Sequence, residues 1–408
     1  MIFLRVFVPF ATAYYFSYFF RMVNAVIAPD IARDVGVTAS ELGLLTSAYF
    51  ITFSTFQVPL GILLDRFGAR RTESALLLFA AAGGLVFARA ETLGGLIVGR
   101  ALIGLGVSAC LMGAFKAYNT WYSKERMPLI NGCQMAIGGL GGLTATKPVS
   151  LTLDVVGWRG LFVACAIILA LVAALIFFAV PERPSRHTER TTLKEQFTGV
   201  VRVFTSPIIW RIAPVLMAIQ SSFVATSTLW AGPWFRDVGG LGPAGVADGL
   251  LLLAVAIVVG GFGLGAAAER LNRVGIGTIA FTIFCCIVFM AAEAGLALEW
   301  TGAMLPLWIV FGIFGTTCVL PYAVIPQSFP ANMSGRVVTA LNLLIFATTF
   351  AVQWGMGIII DLWPPTPAGG YAGEGYQTSY AILFALQAAA LGWFFLRSGK
   401  ADRSRSRP

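Results

Sequence analysis

The chain has 408 residues, of which 58% are hydrophobic and only 12% are charged, and its mean hydropathy is +0.82. A soluble domain is about one quarter charged, so this chain has too few solvating side chains to cover a water-facing surface. Soluble enzymes and DNA-binding proteins are therefore excluded, and the composition indicates a protein that crosses a membrane many times. The net charge of +9 can be interpreted only from the positions of the charged residues along the chain.

A transmembrane helix needs about 20 apolar residues. In chain order the sequence predicts twelve spans, at 6–29, 41–64, 73–90, 93–117, 129–152, 159–180, 209–233, 246–268, 275–293, 303–325, 336–360 and 379–397. One long polar stretch, around His187, divides them into six and six. We therefore predict an all-α membrane protein with a six-helix bundle at 1–182, a cytoplasmic linker at 183–207, a second six-helix bundle at 208–397 and a basic cytoplasmic tail at 398–408.

The basic residues test this count of spans. With the N-terminus inside, twenty of the 28 Lys and Arg residues lie on the inner side, and only Arg33, Arg89, Arg159 and Arg236 lie on the outer side. This bias follows the positive-inside rule and predicts a multi-pass protein of the cytoplasmic membrane with both termini cytoplasmic. The positive net charge therefore does not require a nucleic-acid partner. The six cysteines lie in apolar runs and form no metal-ligand spacing with the single histidine, so we expect neither metal nor cofactor.

A charged loop joins the second and third predicted spans, and its residues are Gly61, Asp65, Arg66, Gly68, Arg70 and Arg71. Such a carboxylate and arginine cluster can act as a conformational latch, pairing across a cytoplasmic interface in one state and releasing in another. Glu269 and Arg270 repeat the pattern after the eighth span, about half a chain later. Matched motifs in two six-helix halves indicate an internal duplication, with pseudo-two-fold symmetry and a site near the midplane.

These loops resemble the signature loop of the major facilitator superfamily. Further segments typical of that family are Gly99–Gly106 with Arg100, Gly157-Trp158-Arg159, and Pro181-Glu182-Arg183. The resemblance covers the whole chain. It implies two six-helix bundles that rock around a central cavity by alternating access, and a transporter rather than an enzyme.

Four cations fall inside the predicted spans: Arg21, Arg100, Lys116 and Lys147. Such residues are costly in a membrane and are therefore candidates for function. Three of them, Arg21, Arg100 and Lys147, lie at similar depth, which suits an anion. Helical spacing separates Lys116 from Arg100 by 160°, so we expect Lys116 to extend to the membrane surface. Arg100 has a second interpretation, as a structural or proton-linked arginine.

Arg21 shares a helical face with Tyr14, Ser17 and Asn24. The segment from Tyr18 to Pro29 is similar to the first helix of the anion:cation symporter branch of the superfamily, in which the arginine is implicated in binding an organic anion. The alternative for Arg21 is pairing with backbone carbonyls or with Asp30. For Lys147 the sequence suggests a place on the substrate path, after glycines that indicate close helix packing.

The second half offers polar and aromatic stripes without charge, namely Asn342, Phe346, Thr349 and Gln353 on the eleventh span and Gln220, Phe223, Ser227 and Trp234 on the seventh. They can hydrogen-bond the body of a ligand, although hydrogen bonds between helices explain each residue equally well. No carboxylate is expected mid-membrane, because Asp30, Asp154 and Glu293 fall at helix ends. Proton symport, exchange for a counter-anion and uniport therefore all stay open.

The sequence thus predicts a secondary transporter, acting as a monomer in the lipid bilayer, for a small organic anion that we expect to be a carboxylate. The predicted substrate contacts are Arg21, Asn24, Arg100, Lys147, Gln220, Asn342 and Gln353, and the predicted latch residues are Gly61, Asp65, Arg66, Gly68, Arg70, Glu269 and Arg270. The alternatives are an exporter of drugs or other amphiphiles, and a receptor with a transporter fold. A membrane enzyme would need a nucleophile and base pair, which the spans do not offer.

Overall fold

The computed structural model describes residues 3–181, 193–318, 320–321, 325–330, 333–367 and 369–405. The predicted linker residues 183–192, with His187, and the last three residues of the predicted tail lie outside the described residues. The helices of the N-terminal half are α1 (Val8–Met22), α2 (Asn24–Val35), α3 (Ala39–Arg89), α4 (Leu93–Gly106), α5 (Cys110–Trp121), α6 (Met127–Thr144) and α7 (Lys147–Ala179). After the linker helix α8 (Leu193–Phe204), the C-terminal half contains α9 (Pro207–Ala225), α10 (Ala231–Asp237), α11 (Pro243–Arg273), α12 (Thr278–Ala297), α13 (Met304–Gly315), α14 (Ser334–Ile360) and α15 (Gly373–Arg405).

Two long helices each contain parts of two spans, because a glycine reverses the chain inside them. Gly68 in α3 has φ 76° and Gly157 in α7 has φ 63°, in the left-handed region that glycine adopts without a steric cost. The second and third spans are therefore joined at Gly68 without a separate loop. Among the described residues, nine helical segments are long and apolar enough to cross a membrane. Counting two spans in each of the two reversed segments, and adding the broken first span, gives the twelve-helix fold of two six-helix bundles.

Several spans that the sequence predicts as continuous helices are interrupted. The first breaks at Val23, between α1 and α2, and the fourth breaks between α4 and α5. A break frees backbone carbonyls, which need a partner inside a membrane. Gln57 donates its side-chain N–H to the Ser108 carbonyl at 3.3 Å, which supplies that partner in the fourth span. In membrane transporters, helices broken near the midplane commonly form the substrate site.

The two halves meet closely at one end of the molecule. We call this the outer end and the end where α1 begins the inner end, following the positive-inside prediction. At the outer end Gly232 of α10 lies against the Ala25 carbonyl of α2, so closely that a Cβ atom would overlap it. The Asp361 carboxylate, just after α14, accepts hydrogen bonds from the N–H groups of Ala39 at 3.0 Å and Ser40 at 2.7 Å. These contacts cap the N-terminus of α3 and close the outer end between the halves.

The flank of the bundle is apolar, as a lipid-facing surface must be. Phe178 on α7 and Leu396 on α15 are 82% and 72% exposed, and Val155 on α7 is 85% exposed. Large apolar side chains exposed to this degree would be unfavourable in water. In a bilayer they contact the hydrocarbon, so this exposure is what a membrane-spanning protein requires.

Helix α6 provides a test of this close packing. A Cβ at Gly141 would meet the Tyr15 carbonyl of α1, whereas a Cβ at Gly132 of the same helix would meet open space. We therefore expect Gly141→Ala to lower the melting temperature in detergent, with a cost of about 1–3 kcal/mol from overpacking. Gly132→Ala should leave the melting temperature unchanged or raise it, because alanine favours a helix over glycine by about 1 kcal/mol. Equal effects of the two substitutions would contradict the described packing of α6 on α1.

Candidate functional site

Arg21 lies at the interface between the halves, at the end of α1 and next to the break at Val23. The centre of its guanidinium group is 5.4 Å from the ring centre of Phe53 on α3 and 5.4 Å from that of Phe346 on α14. Phe53 belongs to the N-terminal half and Phe346 to the C-terminal half. The guanidinium therefore touches both halves, near the middle of the helices that carry the two rings.

No carboxylate among the described residues forms an ion pair with Arg21. Its Nε atom is buried without a hydrogen-bond partner, while the Tyr49 hydroxyl interacts with the guanidinium. Asp30, which the sequence offers as an alternative partner, pairs with Arg33 instead. Arginine keeps its charge in proteins, and an uncompensated charge in a dry interior is costly. The site therefore has the electrostatic character of an anion site.

Three predicted amide side chains have buried polar atoms that lack a partner. Asn24, one turn after Arg21, is 3% exposed, and neither its oxygen nor its nitrogen is hydrogen-bonded within the described structure. The side chain of Gln353 is in the same state, and the Gln220 oxygen is also unsatisfied. Most buried polar atoms in proteins are hydrogen-bonded, so each of these exceptions is a position where a ligand or water can complete the bonding. The fourth predicted amide, Asn342, lies on α14 one turn before Phe346.

Arg100 is placed differently from Arg21. It is 1% exposed inside the N-terminal half, and its Nη2 donates to the Phe20 carbonyl at 3.1 Å. The guanidinium also lies 5.4 Å from the ring centre of Tyr49. Arg100 thus hydrogen-bonds the end of α1 that carries Arg21, which agrees with its structural interpretation. Direct contact between Arg100 and a substrate stays a prediction.

Lys147 is at the outer end, where α7 begins. Its ammonium is 2.5 Å from the Asp248 carboxylate of α11, and the two side chains are 41% and 56% exposed. The pair joins the N-terminal and C-terminal halves. It adds a third contact to the closed outer end, and it places Lys147 beside that closure rather than beside Arg21.

Lys116 also has a carboxylate partner. Its ammonium is 2.5 Å from Asp65, so the expected extension to the membrane surface ends in an ion pair with a predicted latch residue. The remaining predicted latch residues lie around the reversal at Gly68 inside α3 and at the inner end of α11. Glu269 pairs with Arg273 at 2.5 Å, and Arg70 donates to the Val180 carbonyl at 3.2 Å. These described pairs lie within one half each, so pairing across the interface stays a prediction for another conformation.

The expectation that no carboxylate lies mid-membrane stays a prediction, but two carboxylates are buried within the helices. Glu73 on α3 and Glu293 on α12 are both 0% exposed, within helices long enough to cross the membrane. Glu293 accepts hydrogen bonds from Ser222 and, at 2.6 Å, from Gln387, which joins three helices of the C-terminal half. Glu73 opens the third predicted span, so its position at a span edge hid it in the sequence. Its burial depends on Gly113 of α5, against which its carboxylate packs.

Two cavities open at the ends of the molecule. The outer cavity has a volume of about 940 Å³ and includes Arg33, Arg236, Asp361 and Tyr371 in its lining. Burial raises the pKa of the Tyr371 phenol to about 12, so this hydroxyl stays neutral beside Arg236 at physiological pH. The inner cavity has a volume of about 550 Å³ and is lined at its polar edge by Asp65, Arg66, Arg70, Arg71 and Lys116.

Comparison with known proteins gives several relatives among membrane transporters. The chain is 25% identical over 186 residues, 46% of this chain and 43% of the relative, to a probable sulfoacetate transporter of Cupriavidus necator. It is 26% identical over 227 residues to a nitrite extrusion protein of Bacillus subtilis, covering 55% of this chain and 54% of that protein. It is 27% identical over 195 residues to a hexuronate transporter of the same organism, covering 47% and 44%. The chain thus matches about half the length of these relatives.

The fold agrees with solved transporter structures. A bacterial homologue of the human lysosomal transporter Spinster, in an inward-facing and unoccupied conformation, aligns over 99% of this chain and 98% of its own, with a TM-score of 0.78 and 16% identity. The D-xylose–proton symporter aligns over 97% of each chain with a TM-score of 0.74 and 13% identity. The sequence itself matches the Major Facilitator Superfamily over residues 10–353. The chain therefore belongs to the Major Facilitator Superfamily of membrane transporters.

Proposed function

We propose that this protein is a secondary transporter of a small organic anion, with a carboxylate as the group that Arg21 binds. The observation that carries the proposal is the guanidinium of Arg21, which lies between Phe53 and Phe346 without a carboxylate partner among the described residues. A guanidinium binds a carboxylate through two parallel hydrogen bonds. An anion bound at Arg21 supplies the negative charge that balances the guanidinium.

The contacts around Arg21 suit alternating access. An anion bound to Arg21 of the N-terminal half also lies beside Phe346 of the C-terminal half, because the centre of that ring is 5.4 Å from the guanidinium. Asn24 and Gln353 offer the unsatisfied hydrogen-bonding groups for the polar body of the ligand. Binding therefore stabilises states in which both halves hold the ligand, and the halves can then open on either side.

The relatives support an anionic substrate class. Their names refer to sulfoacetate, nitrite and hexuronate, all of which carry a negative charge at neutral pH. An exporter of cationic or neutral amphiphiles would instead be served by an acidic or purely aromatic site. Arg21 and the amides around it favour the anion. We place the protein in the cytoplasmic membrane with both termini inside, as the charge bias predicts.

We expect D-glucuronate, sulfoacetate or acetate to raise the melting temperature of the purified protein, while D-glucose and choline should not. A ligand at about 100 times its Kd stabilises the folded state by about 2.7 kcal/mol. Arg21→Gln should remove this shift, since it removes the charge that the anion contacts. Arg202→Gln, at an exposed arginine on the linker helix α8, is the matched control and should keep the shift. Stabilisation only by the neutral or cationic compounds, or a full shift in Arg21→Gln, would refute the proposal.

Substitutions of Lys147 and Asp248 test whether Lys147 contacts the substrate or only helps to close the outer end. If the pair only helps to close the outer end, Lys147→Gln and Asp248→Asn should alter the apparent Kd for D-glucuronate by the same factor, up to about fivefold for an exposed ion pair. Isothermal titration of both variants measures this. We expect equal factors. Weaker binding confined to Lys147→Gln would show that Lys147 contacts the anion.

A further inference from the structure

A groove on the flank of the C-terminal half lies between helices α9, α14 and α15. Its volume is about 350 Å³. Leu383, Leu386 and Ala390 form its wall on α15. The same stripe of α15 continues to Trp393 and Arg397, with spacings of three and four residues that keep all five side chains on one side of the helix. The groove is therefore apolar along α15 and ends beside an arginine.

The length of the groove matches one leaflet of a bilayer. Leu383 lies close to the midpoint of the apolar segment Gly373–Arg397. From Leu383 to Trp393 the helix rises by about 15 Å, at 1.5 Å per residue. Half of a hydrocarbon core of about 30 Å has the same thickness. The groove thus runs from the middle of the membrane to its inner surface, and Arg397 lies about 6 Å further, at the level of the lipid headgroups.

Two tryptophans give the inner mouth of the groove a fixed shape. Trp210, Pro214 and Met217 form the opposite wall on α9. Because Pro214 has no backbone N–H, the Trp210 carbonyl one turn earlier lacks its helical hydrogen bond. The Trp393 indole N–H donates to that carbonyl at 2.7 Å, and the Trp210 indole N–H donates to the Phe204 carbonyl at 2.6 Å. Both rings are therefore held at the inner surface, where tryptophan is favoured.

The mouth also carries positive charge. The centre of the Arg397 guanidinium is 4.4 Å from the ring centre of Trp393. Arg397 is exposed, and none of the ion pairs among the described residues includes it. Arg211 of α9, whose guanidinium lies 5.4 Å from the ring centre of Phe394, adds a second positive charge near the same end. Arginine binds a phosphate group through two parallel hydrogen bonds, and phosphate is present in the headgroup layer.

We propose that this groove binds an anionic phospholipid of the inner leaflet, with its phosphate on Arg397 and one acyl chain between α9, α14 and α15. Thr348 and Val352 of α14 form the third side. The Thr348 hydroxyl donates to the Leu344 carbonyl at 2.7 Å, so it is satisfied within its own helix and leaves an apolar surface for the chain. The positive charge at the mouth complements a headgroup with a net negative charge, such as that of phosphatidylglycerol.

The choice of headgroup can be tested on the full chain in a non-ionic detergent after bound lipid is removed. Phosphatidylglycerol should raise the melting temperature at a concentration about fivefold lower than phosphatidylcholine with the same acyl chains, the factor expected for one basic residue near an anionic lipid. Inorganic phosphate should have no effect. Arg397→Gln should remove the difference between the two lipids, while Arg202→Gln, at the exposed arginine on α8, should keep it. Equal responses to both lipids in the wild type, or an unchanged difference in Arg397→Gln, would overturn the proposal.

A bulky side chain inside the groove tests the place of the acyl chain. Ala218 of α9 lines the groove, whereas Ala388 of α15 is exposed outside it. Native mass spectrometry should show phosphatidylglycerol bound to the wild type and to Ala388→Phe, and its loss in Ala218→Phe. Arg21→Gln should keep the lipid, because the groove does not involve the proposed anion site.

Two results of this measurement would contradict the proposal. One is phosphatidylglycerol that stays bound in Ala218→Phe. The other is a wild type that is dimeric without lipid and becomes monomeric in Ala218→Phe, which would assign the groove to a second copy of the chain. If Ala218→Phe does not fold, the comparison of the two lipids in Arg397→Gln still decides.

Discussion

The structure depends on one electrostatic constraint, which is the placement of the Arg21 guanidinium where the two halves meet. A permanent charge in a region of low dielectric is tolerated only if another group compensates it. The described residues supply aromatic faces and hydroxyl groups but no carboxylate. In Arg33, Lys116 and Lys147, by contrast, the cation has a carboxylate partner. Arg21 thus differs from these three cations and resembles Arg100, for which the described ion pairs likewise include no carboxylate.

The rest of the fold holds this charge between the two halves. At the outer end, backbone contacts at Gly232 and the Asp361 hydrogen bonds to the start of α3 keep the halves together. At the inner end, the described ion pairs of Asp65 and Glu269 stay within their own halves. The described hydrogen bonds and ion pairs between the halves therefore lie at the outer end, while Phe346 packs on Phe50 and Phe53 nearer the middle of the helices.

Much of this could be predicted from the sequence. Hydropathy and charge bias gave twelve spans in two halves, since the bilayer imposes a length and a composition on every crossing. Helical spacing put Arg21 and Asn24 on one face, because that relation is local. The partners of Lys147 and Lys116 could not be predicted, because Asp248 and Asp65 approach them only through the packing of distant helices. Glu73 was missed because its burial depends on Gly113, forty residues away, and on a turn at Gly68 that brings α3 back into the bundle.

The central claim is that Arg21 completes its charge balance with an organic anion. The most direct measurement is a structure determined with D-glucuronate bound. The account predicts the carboxylate of the ligand in contact with the Arg21 guanidinium, between Phe53 and Phe346, with its hydroxyl groups near Asn24 and Gln353. An anion bound at the outer or inner cavity, with Arg21 contacting only protein groups, would contradict it.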